Sequence, residues 1–251
     1  MYMGVIGTNP GGDILRELRG ARVLITGLTA DAGVDLARAF AELGARLVVH
    51  TTDLSQEITA LVAVLSQSAS EIKLYTDAMT SADESVRFAQ TAAQAFGGLD
   101  AVINIASITS DDMAGVTSER QVEDLVSAKL SPLAHLTRVA ANRMRVVLNE
   151  GMILNILTMP QPETRAEQAV ATVLRGTLAA MTSGEARAWA DQAVRINAIG
   201  PRIFAEPAQA AGACLTNEPD IAALAIFLAS RRGKNLSGHV FDSEGVARRN
   251  C

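Results

Sequence analysis

The sequence predicts a doubly wound α/β fold: one mostly parallel, seven-stranded sheet with helices on both faces. Three observations predict it. Short β-branched runs alternate with Ala-rich amphipathic stretches along the chain. The runs are apolar at consecutive positions, as strands buried on both faces must be. The composition, 49% hydrophobic with only 4% aromatic over 251 residues, is enough for one large aliphatic core in a single domain.

The expected strands, in order, are 22–26 (RVLIT), 46–50 (RLVVH), 71–75 (EIKLY), 100–105 (DAVINI), 151–157 (GMILNIL), 193–199 (AVRINAI) and 239–241 (HVF). Between them, helical periodicity covers 33–43, 54–67, 81–96, 119–148, 166–190 and 218–230. Right-handed crossovers then distribute the helices over both faces. In the stretch 166–190, Ala169, Gly176, Ala180 and Gly184 recur at spacings of seven and four, which allows close approach of another backbone. Packing on the sheet and contact with a second subunit are both open readings.

No domain boundary is visible after residue 20, so residues 21–251 read as one domain. Residues 1–20, Gly-rich and then of mixed charge, read as a flexible arm. No apolar stretch approaches the ~20 residues that cross a bilayer, which predicts a soluble, cytoplasmic protein without membrane contact. The net charge of −5 offers no basic surface to phosphate backbones, so nucleic acid is not an expected partner. Cys214 and Cys251 form no CxxC, and His50, His135 and His239 belong to no ligand set, so no metal site is expected.

The first strand ends in Thr26-Gly27 and runs through Leu28, Thr29, Ala30, Asp31, Ala32 and Gly33 into a helix, with the second strand soon after. Such a strand, Gly-containing turn and helix N-terminus form a Rossmann-like unit that can cradle a pyrophosphate on backbone N–H groups. This loop resembles the TGxxxGxG loop of the short-chain dehydrogenase/reductase family. Asp31 stands at the middle glycine. If its carboxylate faced the phosphates, two like charges ~5 Å apart at an effective dielectric of 20 would repel by about 3 kcal/mol, roughly two decades in affinity. Asp31 could instead turn outward and cap the helix. Impaired and normal dinucleotide binding both remain open.

The resemblance extends over nearly the whole chain from residue 20. At the end of the second strand, Thr51 stands where an acid would hold a ribose, which gives a hydroxyl-lined pocket open to NADP or NAD. Asp77 and Ala78 are similar to the pair that brackets the adenine. Asn104-Ile105-Ala106-Ser107 resembles NNAG, and Arg195 to Arg202 resembles RVNxIxPG, with Arg202 in place of the final glycine. The resemblance therefore implies cofactor contacts from Thr26, Gly27, Thr29, Asp31, Gly33, Thr51, Asp77, Ala78, Asn104, Ala106 and Pro201.

The catalytic positions diverge. In the family, Asn, Ser, Tyr and Lys move the proton and orient the carbonyl. Here the stretch GMILNILT places Thr158 on the serine; thirteen residues later, ATVLRGTL lays Ala171 on the tyrosine and Arg175 on the lysine. Lys129 falls on the asparagine. The two tyrosines of the chain, Tyr2 and Tyr75, are not followed four residues later by Lys. Alanine has no proton to exchange, and Arg175 stays cationic at any working pH. One escape is Lys129, desolvated beside Arg175 and acting with Thr158 as a substitute acid/base.

The expected function is therefore a binding or assembly subunit of this fold, without conventional NAD(P)-dependent carbonyl or alcohol chemistry. An oxidoreductase with a nonstandard acid is the alternative, and NADP or NAD binding, whether normal, weakened or lost, stays open. The resemblance implies a homo-oligomer through helices 119–148 and 166–190, or a mixed oligomer with an active relative. A short lid over 203–217 would leave the pocket open.

Overall fold

In the computed structural model, which describes residues 10–79, 81–147, 150–201 and 218–242, all seven apolar runs pair into one parallel sheet. The strands are β1 (Arg22–Thr26), β2 (Arg46–His50), β3 (Glu71–Tyr75), β4 (Ala101–Ser107), β5 (Gly151–Thr158), β6 (Val194–Gly200) and β7 (Val240–Asp242). Their order is β3-β2-β1-β4-β5-β6-β7. The chain works outward from β1 to β3, then returns to pair β4 against the other side of β1. That reversal makes a switch point between the C-terminal ends of β1 and β4, where open α/β sheets hold ligands.

Strand alternation separates two aliphatic layers. Val23 and Ile25 point into one, with Leu36 and Phe40 of α2 (Val34–Glu42), Ile58 and Leu61 of α3 (Gln56–Ser68), and Leu228 of α8 (Glu218–Ala229). Leu24 points into the other, with Phe88 of α4 (Ala82–Gln94), and with Leu136 and Met144 of α6 (Glu119–Val146). Each such side chain contributes about 1.5–3 kcal/mol by leaving water. The remaining helices are α1 (Pro10–Leu18), the short α5 (Ser110–Ala114) and α7 (Arg165–Trp189). Among the described residues no helix is long and apolar enough to cross a membrane.

The segment expected to be a loose arm is folded from Pro10 onward. Ile14 and Leu18 lie one helical turn apart on α1; Leu18 is buried, and Ile14 packs against the first layer. Gly20 N–H donates to the Gly44 carbonyl, and Glu17 accepts from the Arg231 backbone, which ties the helix to both ends of the fold. The small-residue stripe on α7 does not pack on the sheet: Ala169, Gly176, Ala180 and Gly184 are all exposed. A methyl added at Gly176 or Gly184 would meet nothing within 4 Å.

Candidate functional site

The switch point carries a cavity of about 260 Å³ lined by Gly33, Leu36, Ile105, Ile156, Thr158 and Glu218, with Asp31 at its edge. It is the place where the sequence puts both the loop and the reacting centre. Gly27 and Gly33 shape the loop. Both have positive φ, and a Cβ at Gly27 would lie 2.1 Å from the Ile105 carbonyl oxygen. Asp31 does not adopt a positive φ: Ala193 is the one non-glycine that does among the described residues. Aspartate therefore costs the loop no backbone strain. It is exposed, and it is not the helix cap, since Gly33 holds that position with no side-chain bond of its own.

Several of the loop N–H groups that would face a pyrophosphate already have acceptors inside the chain. Leu28 N–H donates to the His50 carbonyl at 3.2 Å, while Thr29 and Ala32 exchange bonds at 3.0 and 3.4 Å. Ala30 N–H donates to Asp53 at 3.0 Å. Asp35 N–H donates to Glu218 at 3.3 Å, and the same carboxylate faces the Gly33 and Val34 N–H groups. Bonds from Ala30 and then Ser55 hold Asp53 below its ordinary value. Burial, and then the charge of Asp35, push Glu218 above its own. In this arrangement the cradle does not fit a pyrophosphate.

Several other expected contacts face elsewhere. Thr26 and Asn104 are buried in the sheet and bond each other at 3.2 Å; Asn104 then donates to Asn155 at 2.9 Å, and Asn155 to Thr137 at 3.0 Å. A group inside that ladder is structural and is not presented to a ligand. Thr51 turns inward to donate to the Leu28 carbonyl at 2.6 Å, so no hydroxyl-lined ribose pocket forms. Asp77 and Ala78 line a different cavity, with Tyr75 and Phe88, that shares no lining residue with the loop cavity. Ala106 is half-buried, and buried Pro201 offers its carbonyl to Arg175.

Thr158 does reach the cavity, where its hydroxyl donates to Ser107 Oγ at 3.0 Å. Ala171 is buried. Tyr75 lies on the edge strand β3, four strand positions from β5, which is about 19 Å at ~4.8 Å per strand. Its phenol therefore cannot act beside Thr158. Tyr2, Arg202, the short lid at 203–217, Cys214 and Cys251 lie outside the described residues.

The two cations expected to stand together have separate partners. Lys129 donates to Asp112 at 2.8 Å and to the Ser107 carbonyl at 2.9 Å. Arg175 pairs with Asp242 at 2.6 Å and donates to the Pro201 carbonyl at 2.7 Å. Lys129 is thus not a lone ammonium desolvated beside Arg175. Burial raises Asp112, but the bonds from Lys129 and Thr109 outweigh it and leave the carboxyl below its ordinary value. Sequence reading missed Asp112, Asp242 and Glu218. The Thr-x-x-Asp capping pattern at Thr109–Asp112 was a local clue to the first.

The fold, the switch-point cavity and the ordered motifs agree with the profile of the short chain dehydrogenases, which matches residues 21–212. The chain belongs to that family. An oxidoreductase of uncharacterised activity from Mycobacterium bovis is 28% identical, over 91% of this chain and 97% of its own. Gluconate 5-dehydrogenase of Gluconobacter oxydans is 25% identical, over 76% and 74%. A short chain dehydrogenase from Mycobacterium smegmatis superposes with a TM-score of 0.70 at 21% identity, covering 93% of this chain and 94% of that one.

Proposed function

We propose that this member of the family has lost conventional carbonyl and alcohol oxidoreductase chemistry and acts in the cytoplasm as a binding or assembly subunit. The observation that carries the reading is Ala171, a buried methyl at the position of the proton-transferring tyrosine. General acid catalysis is typically worth 10²–10⁴ in rate, and among the described residues no phenol lies within reach. The ion pairs of Lys129 and Arg175 support it, because each cation already has a carboxylate partner. The exposed stripe on α7, with half-exposed Val173 among its small residues, suits a contact with a second copy or with an active relative.

A second reading has one observation in its favour: the Thr158 hydroxyl reaches the cavity, as the serine of an NAD(P)-dependent oxidoreductase with a nonstandard acid would. The test is turnover of the purified chain with NADPH and NADH against a panel of ketones, aldehydes and sugar acids. The expected result is no cofactor oxidation above the uncatalysed rate. Turnover abolished by Thr158→Ala or Arg175→Met would replace the proposal with the second reading. A monomer mass by light scattering, with no partner retained on native purification, would remove the assembly role.

A further inference from the structure

The helices α3 to α7 are each capped by a Ser or Thr side chain of their own: Ser55, Ser81, Thr109, Ser118 and Thr164. Helix α2 begins at Gly33, φ 87°, which has no side chain to offer. Its first-turn N–H groups are the positive end of the helix and would seek an anion from elsewhere. Helix α8 lies against α2, with Leu36 of one and Ile221 of the other lining the same cavity. The first residue of α8, Glu218, is thereby delivered to the first turn of α2 from 183 positions away.

We infer that Glu218 is the resident anion of the α2 N-terminus and the residue that sets the ligand class of the switch-point cavity, excluding ligands that carry a diphosphate. Its carboxylate accepts from Asp35 N–H at 3.3 Å and faces the N–H groups of Gly33 and Val34, the donors a diphosphate would need. Leu28, Thr29, Ala30 and Ala32 of the loop also have acceptors for their N–H groups without a ligand, Asp53 serving Ala30 and the Thr29–Ala32 turn closing on itself. The remaining space, about 260 Å³, lies below the ~300–1,000 Å³ typical of small-molecule sites. A diphosphate entering beside Glu218 would also meet like charge at close range, with Asp35 and Asp31 adding to the negative potential.

Burial and the Asp35 charge make the ionised Glu218 less favourable in place than in water. The inference goes beyond the proposed loss of oxidoreductase chemistry and is independent of it: it rests on the start of α2 and not on Ala171.

The test is calorimetric titration of the full-length chain, as wild type, Glu218→Ala and Glu218→Gln, with ADP and with adenosine as the phosphate-free control. Far-UV circular dichroism and melting temperature check each fold. ADP should bind Glu218→Ala about tenfold to hundredfold more tightly than wild type, the range that follows from removing one like charge at ~5 Å. Glu218→Gln, neutral and nearly isosteric, should move in the same direction, and adenosine should not change. If both folded variants bind ADP no better than wild type, or if adenosine gains as much as ADP, the inference is overturned. Should Glu218→Ala fail to fold, Glu218→Gln decides alone. Turnover is read separately, so a chain that tightens on ADP yet reduces no carbonyl supports both proposals, and one that reduces carbonyls while Glu218 has no effect defeats both.

Discussion

Two sets of polar groups in this molecule bond to one another, one inside the sheet and one at its C-terminal rim, and they do different things. Inside, Thr26, Asn104, Asn155 and Thr137, each at most 1% exposed, link β1, β4, β5 and α6 in a continuous ladder. At the rim, Lys129 pairs with Asp112, Arg175 with Asp242, and Glu218 with the start of α2. The ladder uses atoms that have no other partner available. Lys129 and Arg175 at the rim stand at positions that the family resemblance assigns to the proton-transfer site, just as it assigns Thr26 and Asn104 of the ladder to cofactor contacts. The two sets differ in exposure: the ladder is closed to water, while the side chains of the rim ion pairs are partly exposed.

The ladder should be the costlier set to break. Asn155→Leu leaves Asn104 Nδ2 and Thr137 Oγ1 without a partner in a region closed to water, and each orphaned group costs about 1–3 kcal/mol. A loss of about 3–5 kcal/mol is expected, read from the urea midpoint at unchanged m-value. A loss under about 1 kcal/mol would mean that the ladder is incidental and would erase the contrast.

Arg175→Met should cost less, about 1–2 kcal/mol. The Arg175 and Asp242 side chains are 20% and 39% exposed, so solvent screens the pair, and the larger share comes from the carbonyls of Pro201 and Gly200 that lose a donor. Measured without any ligand, this loss sharpens the comparison, because an arginine without partners inside the chain would show none.

The sheet was legible because its evidence is local: seven β-branched runs matched the strands to within two residues at each end, since burial on both faces forces consecutive apolar positions. The reading of Ala171 at the tyrosine position is local in the same way, as it rests on a short motif at a fixed distance from Thr158. Helix α1 was missed because the glycines ahead of it read as a flexible arm, although Ile14 and Leu18 already had helical spacing. Glu218 could not have been found locally. Its role depends on α8 lying beside α2, a consequence of the whole topology that no window of sequence contains. Likewise Lys129 could be placed on its helix, but its partner Asp112 sits on a five-residue helix that periodicity does not reveal.

His50 lies where the two regions meet, and it gives the smallest and most specific effect. It ends β2 fully buried, with Nε2 2.8 Å from the Asp77 carbonyl and its ring 4.7 Å from that of Phe88, while Nδ1 has no partner. The Asp77 carbonyl can only accept, so Nε2 carries the proton and Nδ1 is an unpaired lone pair. Protonating Nδ1 would bury a charge. Burial accordingly holds His50 below its ordinary value of 6.5, the Asp77 carbonyl opposing it only in part. The folded chain then binds fewer protons than the unfolded one between the two values, so stability is complete above about pH 6.5 and falls as the pH drops through that value toward the lower folded one. Between pH 7 and 6 the change corresponds to a fraction of one proton, at most about 1 kcal/mol. His50→Gln keeps a donor for the Asp77 carbonyl and cannot titrate, so urea unfolding of that variant at a series of pH values should lose the His50 part of the slope. An unchanged slope in the variant would show that water reaches Nδ1 and that the interior rule of complete pairing extends to the rim.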